Sequence, residues 1–512
     1  MSARPSSLTQ RVAVVAGGRA ATTASVLVVN AILTRAWPGE VFGLFGAVWV
    51  LGNTLIPIFL LGLPTALLYF YPRCRAAGRR GLVGRAAACL AASGLVAVAL
   101  LWLAGPALAR SLGLEAAAGS PGLQAALTAF LPYVLAAVAA GYVDAVLVAA
   151  GRAGRQAGLS LLTAAGVVAA ALWGAKAGWS APQVLGALSA VGVGRLVLGT
   201  ILTAAAVRAV RAERGGEDGE LAAGLREVLG YAWAIGLNDA AGSLSRSVDR
   251  LVVLGLFVGQ TFGLYHAGAI EVPVSLLLSA AVAVLVPEIS RLHRDGRLAE
   301  VASLWRGAVS RLALVVLPLF AFLFWFAGPL MALYLPDAYG ASRWVFAIYI
   351  LALPVRCAVY APLLIGMGRA RWALWGSLGD LGANLILSLS LARGLLALDS
   401  EWAFLGPAAA TVLATYGQVA ALLVLIGRDL SLSVAQLLPW RSLGQRGLVC
   451  VAAAALARGI SLAVDPPALQ LGLGLAAYAV LAALYLRSNG AARREVTEVM
   501  GAALSKRNSP TC

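Results

Sequence analysis

Between residues 239 and 250 the chain places Asp239, Ser243, Arg246 and Arg250 at spacings of 4, 3 and 4. On an α-helix that spacing draws a single stripe, with Asn238, Ser245 and Asp249 on the stripe beside it. The chemistry open to such a stripe is anion binding: guanidinium stays charged and grips phosphate oxygens in bidentate fashion. Carboxylates beside it, Asp239 and Asp249, can carry a proton or cation, or neutralise the arginines in buried pairs that serve geometry alone. The residues between are Leu, Val, Ala and Gly. In hydrocarbon an arginine at a helix centre costs about 2.5–3.5 kcal/mol on insertion scales, so such residues face a bundle interior or a wet cavity.

The elements that must position this stripe are membrane-spanning helices. The 512 residues are 61% hydrophobic and 12% charged, with a mean hydropathy of +0.87, whereas soluble domains carry about 25% charged residues. A span needs about 20 mostly apolar residues. Fourteen stretches qualify: 12–34, 41–70, 83–109, 122–149, 157–175, 182–207, 228–257, 263–289, 307–329, 341–367, 372–396, 402–426, 444–463 and 468–486. The predicted fold is an all-α polytopic membrane protein of about 14 transmembrane helices.

The net charge of +17 would suit nucleic acid, but its distribution excludes that partner. Of 39 Lys and Arg, 28 fall in loops and span ends at the face shared with the termini, 6 in those of the opposite face and 5 deeper inside spans. The positive-inside rule therefore puts both termini in the cytoplasm. The first apolar stretch is long enough to span and stay, so no cleaved leader is expected. Five cysteines (Cys74, Cys89, Cys357, Cys450 and Cys512) match no disulfide or zinc spacing.

An internal repeat organises the spans. GEVFGLFGA (39–47) resembles GQTFGLYHA (259–267) at an offset of 220 residues, each copy linking two spans. Six spans separate the copies, so both halves enter the membrane in the same direction, as a parallel repeat about an axis along the membrane normal. The expected organisation is a six-helix lobe (1–210), a cytoplasmic linker (211–227), a second six-helix lobe (228–428), two additional spans (429–490) and a cytoplasmic tail (491–512). The same offset maps Asp239 to Arg19, Ser243 to Thr23, Arg246 to Val26 and Arg250 to Asn30. The first span thus carries a thinner polar stripe, expected to face the seventh across the pseudo-axis. Arg19, Asn30, Arg246 and Arg250 are the candidate substrate-binding residues, and Asp239, Ser243, Asp249 and Glu271 the candidate coupling or cavity residues.

Other intramembrane polar groups are less telling. Glu271, two turns into the eighth span, reads equally as a proton or cation site and as a packing residue. Asp144, Asp380 and Arg195 read as packing or locally paired groups, and His266 as interfacial. Pro57 and Pro64, Pro273 and Pro287, and Pro354 and Pro362 mark kinks in the second, eighth and tenth spans. No Walker loop, HExxH motif or paired His/Cys spacing is present. Hence no ATP engine, metal site, cofactor or catalytic residue is expected.

Several segments resemble the polysaccharide-biosynthesis flippases of the multidrug/oligosaccharidyl-lipid/polysaccharide (MOP) exporter superfamily. SRSVDRLVVLGLFVGQTFGLYHAGAIEVP (245–273) is similar to their seventh helix and following turn. VPEISRLHRDGR (286–297) resembles the exit of their eighth helix. LPLFAFLFWFAGPLMALYLPDAYGAS and LPYVLAAVAAGYVDAVLVAAGR resemble their ninth and fourth helices. The resemblance implies two six-helix lobes, two extra helices and alternating access in a bacterial inner membrane. It implies as cargo an undecaprenyl-pyrophosphate-linked oligosaccharide, moved from the cytoplasmic to the outer leaflet on an ion gradient or the membrane potential. A proton or sodium ion would be the coupling partner. The alternatives are a lipid II flippase for peptidoglycan synthesis, whose early helices are richer in Arg than this chain with Arg19 alone, and a cation-coupled multidrug exporter of the same fold, whose cavity would favour carboxylates.

Overall fold

A computed structural model describes residues 8–111, 122–213, 224–257, 259–272 and 275–488, and the regular structure among them is helical. Eleven helical segments among the described residues are long and apolar enough to cross a membrane. They coincide with the second to sixth and the ninth to fourteenth predicted spans. The other three expected spans appear as helices that fall outside this count: among the described residues the first contributes the apolar stretch Ala20–Ala36, and the seventh and eighth carry the polar stripe and a break.

Two compact units divide the chain. The first holds residues 1–267 with 392–407. It contains α1 (Leu8–Ala36), α2 (Gly39–Phe59), α3 (Leu63–Arg73), α4 (Ala76–Ser111), α5 (Leu123–Ala139), α6 (Gly141–Ala149), α7 (Ala153–Lys176), α8 (Ala181–Glu213), α9 (Leu225–Leu256) and most of α10 (Gln260–Gly268). Here α1 lies along α7, α5 between α4 and α8, and α9 along both α2 and α3. Leu63, Leu67, Tyr71, Leu90, Val143, Val146 and Ala232 form a core under α3. In lipid such contacts gain little from expelling water; close packing supplies the stability.

The second unit holds 268–391 with 408–512. It contains α11 (Ser275–Arg294), α12 (Leu298–Trp325), α13 (Ala327–Tyr334), α14 (Ser342–Ile350), α15 (Tyr360–Gly366), most of α16 (Ala370–Ala397) and of α17 (Gly406–Leu430), α18 (Val434–Leu437), α19 (Trp440–Ser461) and α20 (Pro467–Ser488). The last two pack on α12 and α13 through Ala321, Phe326, Ala454, Ala457 and Tyr478, and the Tyr478 hydroxyl donates to the Pro318 carbonyl at 3.2 Å.

The three spans marked by proline pairs are all interrupted. The second breaks between α2 and α3, where Leu61 (φ 54°) and Gly62 (φ 69°) are left-handed. Pro57 lies one turn before that break and Pro64 in the first turn of α3, where its missing N–H costs nothing. The tenth breaks over 351–359, with Pro354 opening a 3-10 turn and Pro362 in the first turn of α15. The eighth breaks at 269–272, although Pro287 is carried inside α11; Pro273 lies outside the described residues. Leu103, Trp173, Trp375 and Leu448 stand more than half exposed on their helices. In water they would form an aggregating surface; on these spans they are the lipid-facing side.

Candidate functional site

The polar stripe lies on α9, 32 residues long, with Glu227 in its first turn, where a carboxylate suits the helix dipole. The helix ends as Phe257 becomes extended, and Gly259 (φ 64°) begins the reversal into α10.

The stripe does not face one environment. Asp239 and Arg246 are exposed, and Arg246 acts electrostatically on Asp239 two turns away. The Arg246 guanidinium lies back over Gly242, with one terminal nitrogen 3.3 Å from the site a Cβ would occupy there. Ser243 turns instead into the contact with α2: it is buried, and its hydroxyl donates to the Thr54 carbonyl at 3.2 Å. Arg250 is half-buried and acts electrostatically on His266 of α10.

Three placements differ from the sequence reading. Asp249, read as a cavity or coupling carboxylate or as a partner of the arginines, has no exposed surface and accepts a 2.5 Å hydrogen bond from the Tyr265 hydroxyl of α10. Its helix position faces the returning α10, which lipid-scale reasoning on one helix does not see. His266, expected at the interface, is 7% exposed within α10. Glu271, expected two turns inside a helix, is half-buried on the non-helical break between α10 and α11. Its neighbour Val272 precedes a proline in the sequence, a position that disfavours helix.

On α1, Asn30 is buried and its carbonyl accepts from the Thr34 hydroxyl at 2.8 Å, while Thr23 is exposed. Arg19 belongs to α1, but its side chain lies outside the described residues.

The repeated turns meet each other. A Cβ on Gly263 would lie 2.7 Å from the Gly39 carbonyl oxygen, and one on Gly43 would run into the Gly259 carbonyl. At the 220-residue offset Gly39 is the counterpart of Gly259, and Gly43 of Gly263. Each copy therefore presents the same pair to the other, the reciprocal contact that a two-fold axis makes. Gly46 meets its own counterpart: a Cβ there would be 2.9 Å from Cδ2 of His266. This α2–α10 crossing lies within the first unit.

Other intramembrane charges are engaged. Arg195 of α8 pairs with Asp144 of α6 at 2.8 Å and also approaches the Thr163 hydroxyl of α7 at 3.4 Å, the local pairing expected for it. In the second unit, Ser388 and Thr411 donate to the Asn384 side-chain oxygen at 3.0 and 3.3 Å, and Asp380 acts electrostatically on Tyr360. Outside the spans, the Arg369 guanidinium forms a bidentate bridge to Asp429 at 2.8 and 3.1 Å, which raises its already high pKa. Among the described residues no three His, Cys, Asp or Glu side chains converge as metal ligands. The residues that sequence reasoning missed are Tyr265 and His266. Both sit where the second copy of the repeat departs from the first.

Solved structures with this arrangement of helices define the class. The chain superposes on the lipid II flippase MurJ in an inward closed conformation with a TM-score of 0.67 at 13% identity, covering 92% of this chain and 99% of that one. On an inward-facing multidrug resistance MATE family transporter of the MOP superfamily the score is 0.60 at 14% identity, covering 80% and 94%. On a MOP superfamily transporter from Pyrococcus furiosus it is 0.58 at 14%, covering 82% and 94%. The chain is a multi-pass membrane protein with the fold of the MOP transporters. Within that class, residues 89–343, just under half of the chain, match the family model described as polysaccharide biosynthesis protein. That is the family the sequence resembles. Among curated proteins no sequence matches significantly.

Proposed function

We propose that the chain is an alternating-access flippase that carries an undecaprenyl-pyrophosphate-linked oligosaccharide from the cytoplasmic to the outer leaflet of a bacterial inner membrane. The observation that carries this reading is the exposed Arg246 on α9, the seventh predicted span, inside the family-matched segment. An arginine held open at that depth is stable only against water or an anion, and a diphosphate is the anion that the family's cargo supplies. Arg250 stands one turn further along the same helix, and Arg19 and Asn30 on the pseudo-equivalent one complete the proposed headgroup site. Asp239 sits within electrostatic reach of Arg246. It would take up a proton or sodium ion as the anion leaves, with Asp249 and Glu271 as further coupling candidates.

In this reading residues 1–210 and 228–428 are the two lobes that alternate, 211–227 is the cytoplasmic linker, 429–490 adds two helices, and 491–512 is a cytoplasmic tail. Transport is driven by an ion gradient or the membrane potential, and no covalent chemistry is done on the cargo.

The test is export of a polyprenyl-pyrophosphate glycan from proteoliposomes. Arg246→Ala is expected to lower the rate at least tenfold with normal membrane insertion, and Arg246→Lys to recover part of it, since an ammonium keeps the charge but not the bidentate fork. Unchanged export in Arg246→Ala would overturn the assignment. Parallel assays with lipid II and with a cationic dye separate the peptidoglycan and multidrug alternatives.

A further inference from the structure

His266 is buried to 7% exposure inside the α2–α10 crossing, yet neither ring nitrogen has a hydrogen-bond partner among the described residues. Its ring lies between Phe42 of α2 and Phe262 of its own helix, at centroid distances of 5.8 and 5.9 Å, and over Gly46, where any side chain would displace it. Buried nitrogens of this kind are normally satisfied, and leaving them bare forfeits their hydration without return. A helix contact that needs only packing would use a third phenylalanine here.

We propose that His266 is a proton-binding site that lets the α2–α10 crossing close when the imidazole is neutral and forces it open when the ring is charged. The charged groups around it set this sense. From α9, Arg250 acts on it electrostatically with like charge. Asp249, the nearest carboxylate on that helix, is already engaged by Tyr265. From α2, the acidic side chain at this end is Glu40, which is exposed and lies against Gly259 at the turn rather than over the ring. A second positive charge beside Arg250, among aromatic rings and without an acceptor, has no place in the closed crossing. Once α2 and α10 part, water solvates the imidazolium. Protonation and closure therefore exclude one another, and by linkage each proton bound only to the open form pulls the equilibrium toward opening.

On the loop-charge orientation the crossing lies at the outer face, so acidity outside the cell would favour the state that releases cargo. This biological use rests on the transport reading above; the test does not.

In a cysteine-free background, nitroxide labels at Glu40→Cys and Gln260→Cys flank the crossing, and pulsed EPR in nanodiscs reads their separation from pH 8 to pH 5. A single short distance is expected at pH 8. A longer one should grow as the pH falls below about 6.5, the ordinary range of a solvated imidazole, with the open-to-closed ratio approaching a tenfold rise per pH unit. His266→Phe and His266→Asn should hold the short distance throughout. An unchanged distribution in the His266 protein across this range would overturn the proposal, as would an acid response that persists in the variants. If neither variant folds, the pH series on the His266 protein decides alone. Because the readout is the spacing of two turns, its failure leaves the cargo assignment standing, and a chain that exports no glycan can still open with acid.

Discussion

Removing the Tyr265 hydroxyl should destabilise the protein, and removing its acceptor as well should restore it. Asp249 is fully buried and takes one of its hydrogen bonds from Tyr265 at 2.5 Å. Leaving a buried acceptor without its donor costs about 1–3 kcal/mol, and Tyr265→Phe removes that donor while leaving the ring in place. For a unit of this size about 2–4 °C accompany each kcal/mol, so the expected loss is roughly 2–12 °C. The first half of the chain shows what an apolar version of the same site looks like: the counterparts of Asp249 and Tyr265 at the 220-residue offset are Val29 and Phe45, both buried. Replacing both members of a buried polar pair by apolar groups of similar shape is nearly neutral. The double variant Asp249→Val/Tyr265→Phe should therefore melt within about 2 °C of the parent, whereas Tyr265→Phe alone should not. The assay is thermal unfolding read by a thiol-reactive dye with Cys74, which is buried in the first unit's core, as the sole cysteine. Additive losses in the double variant, or a Tyr265→Phe melting point equal to the parent's, would refute the reasoning.

Two further perturbations test the packing around the site. Gly263→Val places a branched side chain where even a Cβ would be 2.7 Å from the Gly39 carbonyl; overpacking of about 1–3 kcal/mol should hold α2 and α10 apart, seen as faster modification of a cysteine at Gln260 by an impermeant maleimide. Arg195→Ala leaves Asp144 without its 2.8 Å partner and should lower thermal stability by more than Arg195→Ala/Asp144→Ala does, because a lone carboxylate on an apolar span costs more than no charge at all; equal losses would refute that reasoning.

Much of the architecture could be read from apolar runs, because lipid imposes a single length rule on every span. The predicted stretch 157–175 corresponds to α7, Ala153–Lys176, and 182–207 to α8. Proline pairs located three interruptions for a backbone reason that needs no tertiary context. The environment of the polar stripe was not legible in the same way. Periodicity on α9 puts Ser243 and Arg246 on one stripe, yet Ser243 meets the Thr54 carbonyl and Arg246 stays open. Which of them is covered depends on where α2 lies, and the helical period of α9 contains nothing about α2.

The two copies of the repeat show how the missing information was encoded. Their shared residues (Gly39 and Gly259, Phe42 and Phe262, Gly43 and Gly263) are those the crossing needs, because only glycine lets two backbones come this close. Their differences carry the polar chemistry. Phe45 becomes Tyr265 as Val29 becomes Asp249, and the new hydroxyl meets the new carboxylate. Gly46 becomes His266, and the ring occupies the space that its own counterpart leaves empty. A two-fold axis brings such positions face to face, so a large side chain in one copy requires a small one in the other. The asymmetry between the copies is therefore the signal of function here: identity sets the joint between two helices, and departure from identity puts a titratable group inside it.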